Sequence, residues 1–147
     1  MSVFAFSRRS VLALGTAMVL GTCAAGAWST AALAVDVKVM LTGDQEVPPV
    51  KTVGIGTGFF AIANNNAITG SVNTAGITGT AAHIHEAAAG KNGPVVIPLT
   101  KNGDSYTVPP DTRLTDAQLA AFKAGNLYVN VHTAANPGGE VRGQLKP

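Results

Sequence analysis

The amino-acid sequence predicts an all-β domain, an antiparallel β-sandwich that carries one short helix. Three features support this fold class. Segments with strand character recur at intervals of about ten residues along most of the 147-residue chain. Turn-forming Gly, Asn and Pro residues separate these segments, and a single segment has a helix-initiation signal. The regular alternation of strands and helices that a parallel sheet requires is absent from the sequence.

The first predicted strand covers residues 35–41, where apolar and polar residues alternate. Alternate residues of a strand point to the same side, so one face should be buried and contain Val35, Val37, Val39 and Leu41. Residues 42–53 include Pro48 and Pro49 and cannot continue the strand, because proline has no amide hydrogen to donate. This segment therefore predicts a connection between two sheets.

A hairpin follows, with strands at residues 54–63 and 67–73 around the turn residues Asn64-Asn65-Asn66. Another strand is predicted at residues 80–85. Residues 95–99 and 105–108 are short extended segments, separated by the turn sequence Asn102-Gly103-Asp104.

The one predicted helix begins after Thr115, because Thr115 and Gln118 have the spacing of a capping box. It should end at Gly125, a residue type that commonly terminates helices. Two strands, residues 127–133 and 141–145, complete the domain.

Residues 1–34 have the organisation of a signal peptide, with Arg8 and Arg9 before an apolar centre and small residues up to a predicted cleavage site after Ala34. The paired arginines indicate a twin-arginine signal, which exports folded proteins; a general secretory signal is the alternative. We therefore expect a periplasmic or secreted protein whose mature domain is residues 35–147.

Charge and cysteine content exclude several classes of function. The formal net charge of +2 comes entirely from Arg8 and Arg9, so the mature domain is neutral and nucleic-acid binding is disfavoured. After the leader, no segment is long and apolar enough to span a membrane. The single cysteine, Cys23, lies in the leader, so the mature domain has no disulfide and no thiolate ligand. This excludes a blue-copper centre.

The three histidines of the chain have a spacing that favours a metal site. His83 and His85 share one face of a predicted strand, with Ala82 and Ile84 on the other. On the strand at residues 127–133, His132 shares the polar face with Tyr128 and Asn130. If the two strands are neighbours, three imidazoles converge, an arrangement suited to copper or zinc. Alternatively, the histidines are structural and bind backbone carbonyls.

Other residues supply weaker candidates. Tyr128 and Asn130 could orient a histidine from the second layer around a metal, or they could face water at the edge of the sheet. Glu46, Glu86 and Glu140 have no spacing that fixes acid–base geometry, so we expect solvated loop carboxylates. No Gly-x-Ser-x-Gly motif identifies a serine nucleophile.

Three separated segments resemble the CHRD family, which is named for its occurrence in chordin and is frequent in exported bacterial proteins. They are LTGDQEVPPV (residues 41–50), AAHIHEAAAGKNGPVVIPL (81–99) and LYVNVHTAANPGGEVRGQL (127–145). The resemblance covers the mature domain and implies an immunoglobulin-like, Greek-key β-sandwich. It implies no activity, because the family has no single established biochemical role.

The chain is also similar, more weakly, to the copper-zinc superoxide dismutases. A His-x-His strand, a later Val-x-Val-His strand and an arginine near the C-terminus occur in the same order. This similarity implies that His83, His85 and His132 are copper ligands and that Arg142 attracts a small anion. The chain lacks a fourth histidine, a zinc-loop histidine cluster and a disulfide in its mature domain, so a copper-only site is implied.

Three hypotheses for the function follow from these residues. In the first, the domain binds copper, with zinc as the alternative metal, through His83, His85 and His132 for periplasmic metal handling. In the second, it is a non-catalytic module that binds another protein or an envelope surface, and its histidines are structural. In the third, it is an enzyme with copper-only superoxide dismutase-like activity. The sequence favours a non-enzymatic role over the third hypothesis.

Overall fold

The computed structural model of the protein describes residues 33–147, and the predicted signal peptide lies outside this range apart from Leu33 and Ala34. In the described residues the chain forms nine strands and one α-helix. They are β1 (Ala34–Thr42), β2 (Ile55–Ala63), β3 (Ile68–Ala75), β4 (Gly79–Glu86), β5 (Val95–Pro98), β6 (Thr100–Asn102), β7 (Ser105–Thr107), α1 (Asp116–Lys123), β8 (Leu127–Thr133) and β9 (Val141–Leu145). A short 3-10 helix, Gly43–Gln45, follows β1.

The strands are hydrogen-bonded in the order β5-β4-β8-β9-β1-β2-β3-β7-β6, and all of the pairs are antiparallel. A single pair, Thr42 with Arg142, joins β9 to β1. This narrow junction divides the strands into a first half (β1, β2, β3, β7, β6) and a second half (β5, β4, β8, β9). The chain crosses between the halves after β3, β5 and β7. The predicted all-β antiparallel fold with one short helix is confirmed.

Both halves contribute the apolar side of their strands to one core. The buried side chains include Val37, Val39, Leu41, Phe60, Ile62, Ile68 and Val72 from the first half and Ala82, Ile84, Leu127, Val129, Val131, Val141 and Leu145 from the second. Each of the larger aliphatic side chains stabilises the fold by about 1.5–3 kcal/mol when it leaves water. Neighbouring residues of a strand point to opposite sides. The residues of β4, β8 and β9 that alternate with these core residues therefore lie on the outer face.

Three details differ from the sequence prediction. Residues 42–53 were predicted to connect two sheets, but this segment leads from β1 to β2, which pair with each other in the first half. The prediction that Val35 joins the buried face was wrong, because this side chain is 38% exposed. Val35 lies at the start of β1, beside the turn between β2 and β3, and the buried side chains of β1 begin at Val37. Strand β6 was not predicted. Its three residues are all exposed, so no apolar alternation marks it, and it pairs with β7 around Gly103.

Helix α1 begins with the predicted capping box. Thr115 Oγ1 accepts a hydrogen bond from the Gln118 amide at 3.2 Å, and Gln118 Oε1 accepts one from the Thr115 amide at 2.8 Å. The helix buries Leu119 and Phe122 against the core and is followed by Gly125 with φ of 72°. Within residues 33–147 there is no helix with the length and apolar character needed to cross a membrane.

The capping box provides a test of the helix boundary. Replacing Thr115 with Ala removes the hydroxyl that accepts from the Gln118 amide, so the free energy of unfolding should fall by about 1 kcal/mol in urea denaturation. The control variant Thr115→Ser keeps a hydroxyl acceptor and should lose much less. An unchanged midpoint for Thr115→Ala would show that this cap does not stabilise the fold.

Candidate metal centre

The polar residues on the outer face of the second half lie in rows across the strands. In one row His83 on β4 pairs with Asn130 on β8, which pairs with Arg142 on β9. In the next row His85 pairs with Tyr128. Directly paired residues of antiparallel strands have side chains in contact distance. The register therefore places the predicted site residues on one surface.

The structure brings the three histidines together. One potential ligand nitrogen from each of His83, His85 and His132 can be chosen so that all three lie within 4.8 Å of one another. The ring centroids are 4.7 Å apart for His83 and His132, and 6.2 Å apart for His85 and His132. His85 is buried, and the other two rings are half-buried. A shared site for one ion is consistent with this spacing.

Two of the rings are oriented by backbone carbonyls. His85 Nδ1 lies 3.0 Å from the oxygen of Gly93, and His132 Nδ1 lies 2.9 Å from the oxygen of Pro137. A carbonyl oxygen can only accept, so these contacts assign the hydrogen to Nδ1 in both rings and leave Nε2 of the neutral ring with a free lone pair. Metal-binding histidines in proteins commonly have this arrangement.

The third ring is held differently. His83 Nδ1 lies 2.9 Å from His132 Nε2, and the tautomer of His132 makes His83 the donor of this hydrogen bond. His83 therefore occupies the lone pair that His132 would give to a metal. This bond would have to break for His132 to bind an ion, so His83 is the candidate ligand that would have to move.

Tyr128 and Arg142 support His85 from one side. The Tyr128 ring is stacked on His85 at 4.8 Å with an angle of 8° between the planes, and Arg142 Cζ lies 3.5 Å from the centroid of the Tyr128 ring. The Tyr128 hydroxyl accepts from the Gly93 amide at 3.2 Å. Gly93 thus contacts both rings of the stack, and a side chain at this position would overlap the carbonyl of Glu86. Sequence analysis missed Gly93, because a loop glycine carries no sign of this role.

Arg142 is placed deep in the structure, with 1% of its surface exposed. It donates to neutral oxygens of Ala88, Asn92 and Gln144 at 3.2–3.4 Å, beneath residues 87–94, the loop that joins β4 to β5. Burial lowers the pKa of Arg142, partly opposed by Tyr128 and Glu46. The guanidinium group is therefore buried, and it holds Tyr128 and residues 87–94 in place beside the histidines.

The expectation of solvated carboxylates was wrong for Glu46 and Glu140, which are 4% and 8% exposed. Residues 43–54 fold over the outer face, where Asn92 Nδ2 donates to the Val47 carbonyl at 2.7 Å, and this fold covers Glu46. Burial raises the pKa of Glu46 to about 7, although Arg142 and Asn130 favour its charged form. No local pattern in the sequence indicates that a loop folds back in this way.

Glu140 has a different environment. Its carboxylate accepts a hydrogen bond from the Thr52 hydroxyl at 2.6 Å and another from the Thr133 hydroxyl. These two donors lower the pKa of Glu140, against the effect of burial. Glu140 therefore links residues 43–54 to the end of β8.

The histidine cluster favours uncharged rings. Burial lowers the pKa of His83, and the neighbouring His132 and His85 lower it further. Burial also lowers the pKa of His85, although its bond to the Gly93 carbonyl opposes this effect. Neutral imidazole is the form that binds metal ions, so protons do not compete strongly for these two rings at neutral pH.

A family model described as CHRD domain matches residues 37–145. The chain belongs to the CHRD domain family. The matched region starts within β1 and ends with the last residue of β9, so it contains the sandwich and all three histidines of the CHRD domain. No curated protein and no solved structure shows a significant match to the chain.

The environment of Glu46 predicts a stability that depends on pH. Because the folded-state pKa is raised above that of the unfolded chain, the metal-free protein should lose stability as the pH rises from about 4.5 through about 7. Glu46→Gln should remove this loss and be more stable than the wild type at pH 8, by on the order of 1–3 kcal/mol. Urea denaturation at several pH values measures the difference, and a wild type that keeps its stability across this range would contradict the assignment.

Glu140 predicts the opposite sign. Its lowered pKa stabilises the fold above the pKa of the unfolded carboxyl, and this contribution disappears as the pH falls through the folded-state value. Glu140→Gln should therefore cost about 1–2 kcal/mol at pH 7. The same denaturation series should show the variant and the wild type converging in acid. Equal stability at pH 7 would mean that the two threonine bonds contribute nothing.

Proposed function

We propose that the CHRD domain binds one copper ion through His83, His85 and His132 and serves in metal handling outside the cytoplasm. One observation carries this proposal. Backbone carbonyls orient His85 and His132 with their Nε2 atoms unprotonated, and the third imidazole, His83, lies against His132 Nε2, which it can release by moving. A purely structural role for the rings would not require three of them to lie together on one surface.

The geometry fits an ion after a small adjustment. Bonds from a metal to imidazole nitrogens are about 2 Å long, so ligands must approach more closely than the present 4.8 Å limit. His83 can supply most of this movement, because its partner is another ring and not the backbone. The carbonyl contacts of His85 and His132 can stay in place. Two of the proposed ligands, His85 and His132, are therefore already oriented, and the third, His83, would move to reach the ion.

Copper is the metal that we propose, with zinc as the alternative. Imidazole binds both ions, and for a given set of nitrogen ligands the divalent first-row metals reach their highest affinity at copper. The twin-arginine signal predicted in residues 1–34 would export a folded domain, which allows but does not require metal loading before export. We propose a periplasmic or secreted location on this basis.

The dismutase-like enzyme and the interaction module require different properties of this site. A dismutase-like enzyme would use Arg142 to attract an anion, but the guanidinium is buried against Tyr128 and beneath residues 87–94, which gives this role no support. A non-catalytic interaction module would need no metal at all. Metal uptake therefore separates the proposal from the module.

The proposal predicts different effects for the three ligands. His85→Ala and His132→Ala should each lose copper binding almost completely, whereas His83→Ala should retain binding weakened by about tenfold or more, because the two oriented rings remain. Isothermal titration of the metal-free protein with Cu²⁺ against a competing chelator measures this. The wild type should bind one equivalent, and its affinity should fall in acid, because protons displace a metal from imidazole; the lowered pKa values of His83 and His85 move this loss to lower pH than for ordinary histidines.

Met40→Leu is the matched control. Met40 is an exposed thioether on the outer side of β1, and its loss should leave the affinity unchanged. If the wild type takes up no copper or zinc, the metal proposal fails and the interaction module becomes the better hypothesis. If all three histidine variants still bind one equivalent, copper binds elsewhere.

A further inference from the structure

Three buried polar atoms beside the histidine cluster lack hydrogen-bond partners. They are Glu46 Oε1, Asn130 Oδ1 and His85 Nε2. Buried polar atoms in folded proteins are nearly always paired, because an unpaired one loses its hydrogen bonds to water and gains none in return. Of these atoms, the Asn130 oxygen is a pure acceptor, and its residue is 2% exposed. A cation is the kind of ligand that would satisfy it.

The surroundings of Asn130 fix which way its amide points. Its Nδ2 faces the Gly138 carbonyl at 3.5 Å, a long contact that only a donor can make. A Cβ atom on Gly139 would lie 2.6 Å from the same Nδ2 and would also overlap Glu46 Oε1, so the amide nitrogen and the Glu46 carboxyl meet at this glycine. The nitrogen side of the amide is therefore turned toward Glu46.

The oxygen side is turned toward the histidines. Asn130 is paired with His83 across the strands and lies on the same face of β8 as His132. Because the amide nitrogen faces Gly138 and Glu46, the oxygen at the other side of the amide faces away from them, on the side of the histidine row. Asn130 Oδ1 and His85 Nε2 are thus two buried acceptors without hydrogen-bond partners on the same face of the sheet.

We propose that Asn130 Oδ1 is the fourth ligand of the metal centre, which makes it a three-nitrogen, one-oxygen site. This inference rests on the proposed function, because it needs the ion that the three histidines bind. Glu46 lies on the nitrogen side of the amide and orients the oxygen toward the ion. Asn130 is therefore a ligand, and Glu46 is a positioning residue that acts through it.

The oxygen ligand predicts which oxidation state of copper is favoured. Nitrogen and oxygen donors suit Cu²⁺, whereas Cu⁺ prefers softer thiolate and thioether ligands. An amide oxygen should therefore contribute to the affinity for Cu²⁺ and add little for Cu⁺. The ratio of the two affinities reports on the oxygen ligand specifically, because a general loosening of the site would weaken both ions together.

The test compares the wild type and three variants in competition titrations with Cu²⁺ and, under reducing conditions, with Cu⁺. Asn130→Leu removes the oxygen and should lose about tenfold or more in Cu²⁺ affinity, with little change for Cu⁺ and with an altered Cu²⁺ electron paramagnetic resonance spectrum. The double variant Glu46→Gln, Asn130→Asp keeps an oxygen at the metal and reverses the donor and acceptor behind it. It should bind Cu²⁺ at least as tightly as the wild type. Asn73→Leu, on the exposed side of β3, is the control for the substitution itself.

The outcomes separate this inference from the proposed function. If His85→Ala abolishes binding while Asn130→Leu keeps the wild-type affinity and spectrum, the metal centre stands and the fourth ligand is refuted. Equal losses for Cu²⁺ and Cu⁺ in Asn130→Leu would also refute it. If that variant does not fold, the double variant decides, and a tenfold weaker Cu²⁺ affinity there overturns the inference. A wild type that binds no metal overturns both proposals.

Discussion

The register between β4 and β8 is the constraint on which the rest of the site depends. It places Ile84 and Val129 in the core and, by the two-residue period of a strand, places His83 and Asn130 on the outer face. A shift of one residue would exchange the two sets and bury imidazoles among aliphatic side chains. The apolar core therefore positions the candidate ligands without touching them.

The same alternation explains how much of the molecule could be predicted. Strands β8 and β9 were predicted with their observed bounds, because each has a regular apolar face and a glycine or proline near its ends. The short strand β6 was missed, since pairing with β7 holds it and no buried face marks it. The three histidines were identified because two strands with matching polar faces contain them.

The sequence allowed histidines that bind backbone carbonyls, but it could not predict which carbonyls they would meet. The carbonyls of Gly93 and Pro137 orient two rings, but any residue has a carbonyl, and only the path of the loop decides where it points. The burial of Glu46 and Glu140 has the same origin. Residues 43–54 cover both carboxyl groups, but the two pKa values shift in opposite directions. Burial dominates for Glu46 and raises its pKa, whereas hydrogen bonds from two hydroxyl groups dominate for Glu140 and lower its pKa.

The two loops that orient His85 and His132 contribute main-chain oxygens, and most of their side chains face solvent. Ala88, Lys91 and Ala134 are all exposed. Substitutions at such positions leave the carbonyls in place as long as the loop keeps its path, which Gly93 secures by its close approach to Glu86. Substitutions during evolution can therefore change the side chains that these loops present to neighbouring molecules, while the candidate ligands His85 and His132 keep their orientation.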